Sequence, residues 1–442
     1  MPTTELSPGS VNPDTQAVLL LCASFPRRSG PDVKPLTLSE YNALATWLGH
    51  QGRRPASLIQ VGNDGLPGAE PGLPPADRLR ALLGRGFQLA AALEGWQRLG
   101  LWVISRGEDC YPERLRRQLR SAAPPLLYGA GDIRRLNQGG LAIVGSRNVD
   151  EEGLAFTRRL AQRCAEQGVQ IVSGGARGVD RAAVSGVLAA GGGAVAVLAE
   201  RLDRAATMRE AREHLRDGRL TLITPFEPES GFTIGKAIGR NKNIYALADF
   251  ALVVHFRTRE GGTWTGAVEQ LGRNRSAPPG IPIFVRVARN PPEGYAELER
   301  QGALSFPEEN VWKNKIVELL KQLSPPPDLA DSRPVGEAIT SLDESTSLPT
   351  EASPATTATE EDTCYRRCLP LLLQSFQHEI GTQHLPEIAQ RLQLLPKQLA
   401  EWMRRAVREG NLSKKKKKGR VVYMASSADS EQTLFDHDGD AA

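Results

Sequence analysis

From Leu141 onward the chain repeats one pattern, a run of four or five apolar residues followed by a longer stretch in which apolar positions fall three and four apart. The runs are Leu141 to Val144, Val169 to Val172, Ala194 to Leu198, Leu220 to Ile223, Phe250 to Val254 and Ile281 to Val285. The longer stretches are Glu151 to Gln167, Val179 to Ala190, Arg204 to Arg216, Ile234 to Leu247 and Thr263 to Leu271. An unbroken apolar run suits a strand covered on both faces, and a period near 3.6 marks a helix. Strands alternating with helices in this way predict a Rossmann-like α/β fold with a doubly wound, mainly parallel sheet.

Upstream, the pattern between Leu36 and Arg98 is helical. Thr37 or Ser39 can cap a helix bearing Leu44, Trp47 and Leu48, and Ala76 to Leu83 and Phe87 to Leu99 give two more amphipathic segments around a Gly- and Pro-rich loop, Gly62 to Pro75. Residues 1–100 are therefore expected to hold a loose tail and a small helical, SAM-like module. Residues 101–323 hold the α/β domain, entered through a short strand at Trp102 to Ser105. Residues 324–362 carry Pro325-Pro326-Pro327, nine acidic residues and one Arg, too little apolar surface to order itself, and read as a disordered linker. In residues 363–425, Tyr365 to Glu379, Leu385 to Leu392 and Lys397 to Glu409 read as helices. Asn411-Leu412, Lys414 to Gly419 and Arg420 to Met424 then read as strand, turn and strand, which makes a winged helix-turn-helix. Residues 426–442 form an acidic tail.

Charge sharpens this division. The 442 residues sum to +4, yet Cys364 to Met424 alone holds 13 Lys/Arg against 4 Glu, so the basic character is concentrated in the C-terminal module. Hydrophobic content of 40% is ordinary for a soluble protein. No run approaches the ~20 apolar residues of a membrane span, and no leader pattern opens the chain, so a cytoplasmic protein without membrane contact is expected. Cys22, Cys110, Cys164, Cys364 and Cys368 are odd in number and lack paired C-x-x-C spacing, which reads as reduced thiols and no metal site.

A phosphate is held most readily where unpaired backbone N–H groups converge at a helix N-terminus, and glycine allows close approach and positive φ. Gly145-Ser146-Arg147 follows the first strand of the repeat, and Ser173-Gly174-Gly175-Ala176-Arg177-Gly178 follows the second. In an open parallel sheet both face the crevice beyond the strands' carboxyl ends. Two such loops, each with an arginine, point to a basic ledge for an anion. Asp180 has three readings: capping the next helix, contacting a ribose hydroxyl, or orienting Arg177. Arg240-Asn241-Lys242-Asn243 and the helix opening Glu260-Gly261-Gly262-Thr263 join the same edge. No G-x-x-x-x-G-K-S/T loop and no G-x-G-x-x-G fingerprint occurs, and of the six histidines only His255, at a strand end, lies near the crevice. No catalytic constellation and no cofactor is expected. In the C-terminal module Leu399, Trp402, Met403 and Ala406 are expected inside, leaving Lys397, Arg404, Arg405 and Arg408 outside with Lys414, Lys415 and Lys416 on the wing. That charge suits phosphate contacts with strong salt dependence, although winged helices also dock proteins.

Asp109-x-Tyr111-Pro112-x-x-Leu115, Pro124-Pro125-x-Leu127-Tyr128, Gly131-Asp132, Ala142-Ile143-Val144-Gly145-Ser146-Arg147 and Ser173-Gly174-Gly175-Ala176-Arg177-Gly178-Val179-Asp180 together resemble the DNA-processing protein A (DprA/Smf) family, over about Trp102 to Phe284. The resemblance implies a non-catalytic, homodimeric protein that binds single-stranded DNA in natural transformation and helps load the RecA recombinase. It implies Arg147 and Arg177 as DNA-phosphate contacts and Gly145, Ser146, Ser173, Gly174, Gly175 and Gly178 as the phosphate pocket. Arg240-Asn241-x-x-Ile244 is similar to the family's Arg-Asn-Arg-Ile segment, with Lys242 in place of Arg. Three stretches depart from the family pattern: Ala199 to Ala205, Thr224 to Gly231, and Glu260 to Ala267. The last resembles the Gly-Gly-x-Gly-Thr loop of the nucleotide-binding lonely-guy (LOG) relatives. Two alternatives therefore stand beside DNA binding: a nucleotide-sensing or nucleotide-cleaving domain using Gly261, Gly262, Thr263 and Glu269, and a regulator or antitoxin-like module working through a protein partner, as in phage defence.

Overall fold

The apolar runs pair into one sheet whose centre is the first of them. The computed structural model describes residues 11–25, 33–60, 66–68, 70–276, 280–287 and 294–324, and in the C-terminal part 380–381, 385, 388, 396–409, 411–417 and 420–425. Helices α1 (Pro13–Cys22), α2 (Leu38–His50), α3 (Ser57–Gln60), α4 (Ala76–Leu83) and α5 (Gly86–Arg98) come first. Then follow β1 (Trp102–Ser105), α6 (Glu113–Leu119), β2 (Leu126–Gly131), β3 (Leu141–Val144), α7 (Glu151–Glu166), β4 (Ile171–Ser173), α8 (Val179–Ala189) and β5 (Ala194–Val197). The second half holds α9 (Leu202–Thr207), α10 (Arg209–Arg216), β6 (Leu220–Thr224), α11 (Ile234–Leu247), β7 (Phe250–Val253), α12 (Gly261–Ser276) and β8 (Ile283–Val285). It closes with α13 (Tyr295–Arg300), β9 (Leu304–Ser305), α14 (Glu308–Val311) and α15 (Ile316–Leu323).

Strand order among the described residues is β1-β2-β6-β5-β4-β3-β7-β8-β9. The run from β6 to β9 is parallel, and β1 and β2 add an antiparallel edge. The mainly parallel, doubly wound sheet read from the pattern is thus present. Each strand divides its side chains between two cores, as a period of two requires. Leu141, Ile143, Ile171, Phe250 and Leu252 lie in one, and Ala142, Val144, Val172, Ala251 and Val253 in the other.

The N-terminal helices share the first core. Leu19, Leu21, Leu44, Leu79, Leu82 and Trp96 are buried in the same cluster as Leu126 and Tyr128 of β2, and the ring of Trp96 stands edge-on to Tyr128 at 5.1 Å. The Thr37 cap is realised as a full capping box with Glu40. The stretch read as one helix from Arg204 to Arg216 is instead two, α9 and α10. Met208 between them is extended (φ −61°, ψ 137°), and the Thr207 hydroxyl turns back to the carbonyls of Asp203 and Arg204.

Helix α16 (Pro396–Arg408) buries Leu399, Trp402, Met403 and Ala406, as its spacing predicts. The hairpin of β11 (Leu412–Lys417) and β12 (Arg420–Ala425) follows, and β10 (Ile380–Gly381) pairs with β12 as a third strand. Lys414 to Lys417 lie in β11 itself, with Lys417 opposite Arg420, so the lysine run is strand rather than turn. The linker after Ser324, the helix expected at Tyr365 to Glu379, Cys364, Cys368 and the tail at 426–442 fall outside the described residues.

Gly129 shows how tightly the antiparallel edge is packed. The Trp102 indole lies across β2 and donates to the Gly131 carbonyl at 2.9 Å, and a Cβ on Gly129 would sit 2.3 Å from that ring and 2.8 Å from the Leu222 carbonyl. Gly129→Ala is expected to lower the unfolding free energy by about 1–3 kcal/mol, measured as a shifted urea midpoint at unchanged slope.

Candidate phosphate-binding crevice

The chain runs from β3 outward through β4, β5 and β6 on one side and through β7, β8 and β9 on the other. The connections leaving β3 and β7 therefore diverge and open a crevice at the carboxyl edge, the usual ligand position in open α/β sheets. The loops after β3, β4 and β7 all leave this edge.

The two glycine-rich loops are locked to each other. Ser146 donates its N–H to the His255 carbonyl at 2.8 Å and accepts from the Val179 N–H at 3.4 Å. Gly145 donates to the Asp180 carboxylate at 3.4 Å, and the Ala176 N–H bonds the same carboxylate. Asp180 pairs with Arg240 of α11 at 3.4 Å, and Arg240 also donates to the Val197 carbonyl at 2.6 Å. Both are almost fully enclosed, Asp180 5% and Arg240 4% exposed. Burial pushes the Asp180 carboxyl up from its ordinary value, while Arg240 and the N–H groups of Gly145 and Ala176 pull it back down.

This packing explains the glycines. A Cβ at Gly145 would meet Val179 Cγ2 at 2.5 Å, and one at Gly174 would meet the Arg240 guanidinium at 1.7 Å. Gly178 has φ +82°, and a Cβ there would fall 2.4 Å from the Ser146 carbonyl. The loops need glycine to fit each other and Arg240, whatever else they hold.

Several expectations are corrected. Ser173 is fully buried and donates to the Ile143 carbonyl at 2.6 Å, tying β4 to β3 where a crevice ligand cannot reach it. Arg240 is not on the ledge but beneath Gly174, its charge matched by Asp180. Asp180 neither caps α8, whose cap position is Gly178, nor orients Arg177. Asn241, half-buried, donates to the Gly262 carbonyl at 2.9 Å and so links α11 to the start of α12, and Lys242 is half-buried on α11. Arg405 is half-buried and paired with Glu409 at 2.8 Å, whereas Arg404 is exposed. The side chains of Lys397, Arg408 and Lys414 to Lys416 lie outside the described residues.

What faces solvent is narrower than the motif. Arg147 and Arg177 are exposed, and among the described residues neither has a carboxylate partner. Gly175 is exposed beside them, and the Ser146 hydroxyl accepts from the Asn148 N–H at 3.1 Å. The glycine opening of α12 stands at the same edge: Gly261 has φ +76° and open space about it. Glu269 is held by Arg273 at 2.6 Å. His255 holds Ser146 through its backbone. Its Nδ1 is buried without a partner among the described residues, and burial pushes the imidazole below its ordinary range. One residue that motif reading missed is Phe232, whose ring lies 4.6 Å from the Arg147 guanidinium carbon. Its only signal in the sequence was an aromatic after Gly231.

The class this defines is a Rossmann-like α/β domain with a paired glycine-loop crevice and none of the nucleotide-hydrolysis motifs. Residues 102–305 match the family model of DNA recombination-mediator protein A, and over this domain the chain is similar to DprA/Smf proteins. Protein Smf of Escherichia coli (strain K12) is 34% identical over 221 residues, 48% of this chain and 56% of that protein. DNA processing protein DprA of Streptococcus pneumoniae is 31% identical over 179 residues, 39% of this chain and 61% of that one. The chain thus spans little more than half the length of these relatives. The X-ray structure of DNA processing protein A from Streptococcus pneumoniae shares the fold, with a TM-score of 0.50 and 20% identity over 63% of this chain and 93% of that chain.

Asp180→Ala is expected to destabilise the domain by about 3–5 kcal/mol, because it strands the Arg240 charge in the interior. The paired change Asp180→Leu with Arg240→Met removes both charges and is expected to cost less than Asp180→Ala alone. Urea unfolding of both variants checks this, and an equal or larger loss in the double variant counts against the pair as the organising contact.

Proposed function

We propose that the α/β domain binds the sugar-phosphate backbone of single-stranded DNA across the crevice, without chemical turnover, as a mediator of recombination. The observation that carries this is the pair of exposed arginines, Arg147 and Arg177, presented by two interlocked loops with no carboxylate partner among the described residues. Guanidinium groups presented in this way are matched to phosphate by their planar donor fork. The match of residues 102–305 to a recombination-mediator family supports the choice of DNA. Ser146, Gly145, Gly175 and Gly178 supply the backbone surface against which a phosphate would sit, and Asn241 and Lys242 shape the neighbouring wall. The basic α16 and β11 of the C-terminal unit add a second contact for nucleic acid or a docking site for a protein.

Loading of RecA and formation of a homodimer belong to the same proposal, in DNA uptake or in another recombination context such as phage defence. They are read as stimulated RecA filament growth on single-stranded DNA and as a doubled mass in light scattering. A second ligand is kept in view by the Gly261 helix opening, which suits a mononucleotide phosphate. The clasp of Glu269 by Arg273 speaks against using that carboxylate for cleavage. Thermal stabilisation by millimolar mononucleotides would favour this reading.

Arg147→Glu with Arg177→Glu is expected to abolish single-strand binding in a low-salt mobility shift. The neutral pair Arg147→Gln and Arg177→Gln is expected to reduce the slope of log affinity against log salt by about 1.4, roughly 0.7 for each phosphate that is no longer neutralised. Unchanged binding and slope would overturn the placement of the site.

A further inference from the structure

The N-terminal helices and the outer strand of the sheet enclose a cavity of about 240 Å³, open to solvent, between α1, α2, the Arg54-Pro55 segment and the end of β1. Water takes about 30 Å³ per molecule in the liquid, so the space is that of about eight waters. β1 stands five strand spacings from β3, roughly 24 Å at about 4.8 Å for each, so the cavity is separate from the glycine-loop crevice. Its wall is largely apolar, made by Val18, Ala45, Pro55 and the ring of Tyr41. Three charged side chains line it as well, Asp14, Arg54 and Arg106.

Two of these charges cancel. Asp14 is paired with Arg54 at 2.8 Å and accepts the Ala56 N–H at 2.8 Å. Arg106 is the surplus charge: it is half-buried and has no carboxylate partner among the described residues. Neutral acceptors set its guanidinium, the Ala123 carbonyl at 3.2 Å and the Asn42 amide oxygen at 2.7 Å, and it lies 5.5 Å from the centre of the Tyr41 ring. Those bonds use two of its five N–H donors. Glu108, two positions along, turns instead to the Thr15 hydroxyl and the Ser105 N–H. Tyr41 is 6% exposed, yet its hydroxyl bonds nothing among the described residues. A cation without a counter-ion and a phenol without a partner, in one small apolar space, are polar groups that an anion would satisfy.

We infer that this cavity binds a small monocarboxylate with an apolar body, Arg106 and Tyr41 taking the carboxylate and Val18, Ala45 and Pro55 the hydrocarbon. The planar guanidinium fork matches the two oxygens of a carboxylate. One surplus charge matches a monoanion, and the space suits an acid of about ten non-hydrogen atoms. Because α1 and β1 both form the wall, the bound acid holds helices to sheet at a seam that the Thr15 and Ser105 hydroxyls join at 2.7 Å.

The test titrates benzoate into the full chain by calorimetry, with benzamide as the neutral isostere and hexanoate as an acid of another shape. Benzoate is expected to bind about 10- to 150-fold more tightly than benzamide, the worth of one hydrogen bond to a charged group, and to raise the melting temperature. Arg106→Gln is expected to remove that preference, and Tyr41→Phe to weaken benzoate about fivefold, the worth of one neutral hydrogen bond. Ala45→Leu fills the space with the charges unchanged and is expected to abolish binding, so the site stays testable if Arg106→Gln does not fold. Arg147→Gln with Arg177→Gln controls for acid held at the crevice. Benzoate binding that is lost in this control, or kept in Ala45→Leu, overturns the site. Binding of neither acid, or equal binding of benzoate and benzamide, overturns it too. None of these readouts uses DNA, so the outcome is independent of what the crevice holds.

Discussion

A carboxylate and a guanidinium enclosed together at the carboxyl edge of the sheet govern the rest of the crevice. Asp180 draws in N–H groups from both glycine-rich loops, and Arg240 brings α11 against Gly174 and the end of β5. Taking two charges out of water costs several kcal/mol for each, so their attraction offsets that cost more than it adds stability. What the pair supplies is placement, since three separate stretches of chain have to meet to satisfy it. It also fills, from within, the position where the loop N–H groups converge. The anion that those groups hold in the folded chain is the protein's own, and Arg147 and Arg177 stand exposed at the outer rim.

The same constraint reassigns the glycines. Gly145, Gly174 and Gly178 face Val179, Arg240 and the Ser146 carbonyl at distances no Cβ tolerates, so their identity follows from packing between the loops. The loop after β6 reaches the N-terminal helices through Glu227 and Glu229 and returns with Phe232 beneath Arg147. Because Trp96 also stands against Tyr128 of β2, the N-terminal helices and the sheet form one continuous core.

Local pattern made the central architecture legible. Strands buried on both faces read as unbroken apolar runs, and their helices showed a period near 3.6, so the positions of β3 to β8 and of α7, α8 and α11 fall within a residue or two of expectation. Less legible were features that depend on a single backbone torsion or a distant partner. Met208, extended between α9 and α10, is ordinary in sequence and ends a helix only through its neighbours' hydrogen bonds. The lysine run from Lys414 reads as a turn by composition, yet pairing with β12 draws it into a strand.

A doubly wound sheet presenting two glycine-and-arginine loops at one edge could be read along the chain, because apolar periodicity and turn residues are properties of adjacent positions. Which of those residues meet solvent follows from contacts made across the fold. Arg147, Arg177 and Arg240 are chemically alike in one dimension, yet Arg240 is withdrawn by Asp180, sixty positions away, while Arg147 is set on Phe232 by a loop anchored to α5. Charge is written in the residue, but whether it is spent internally or offered outward depends on partners that only folding brings within a few ångströms.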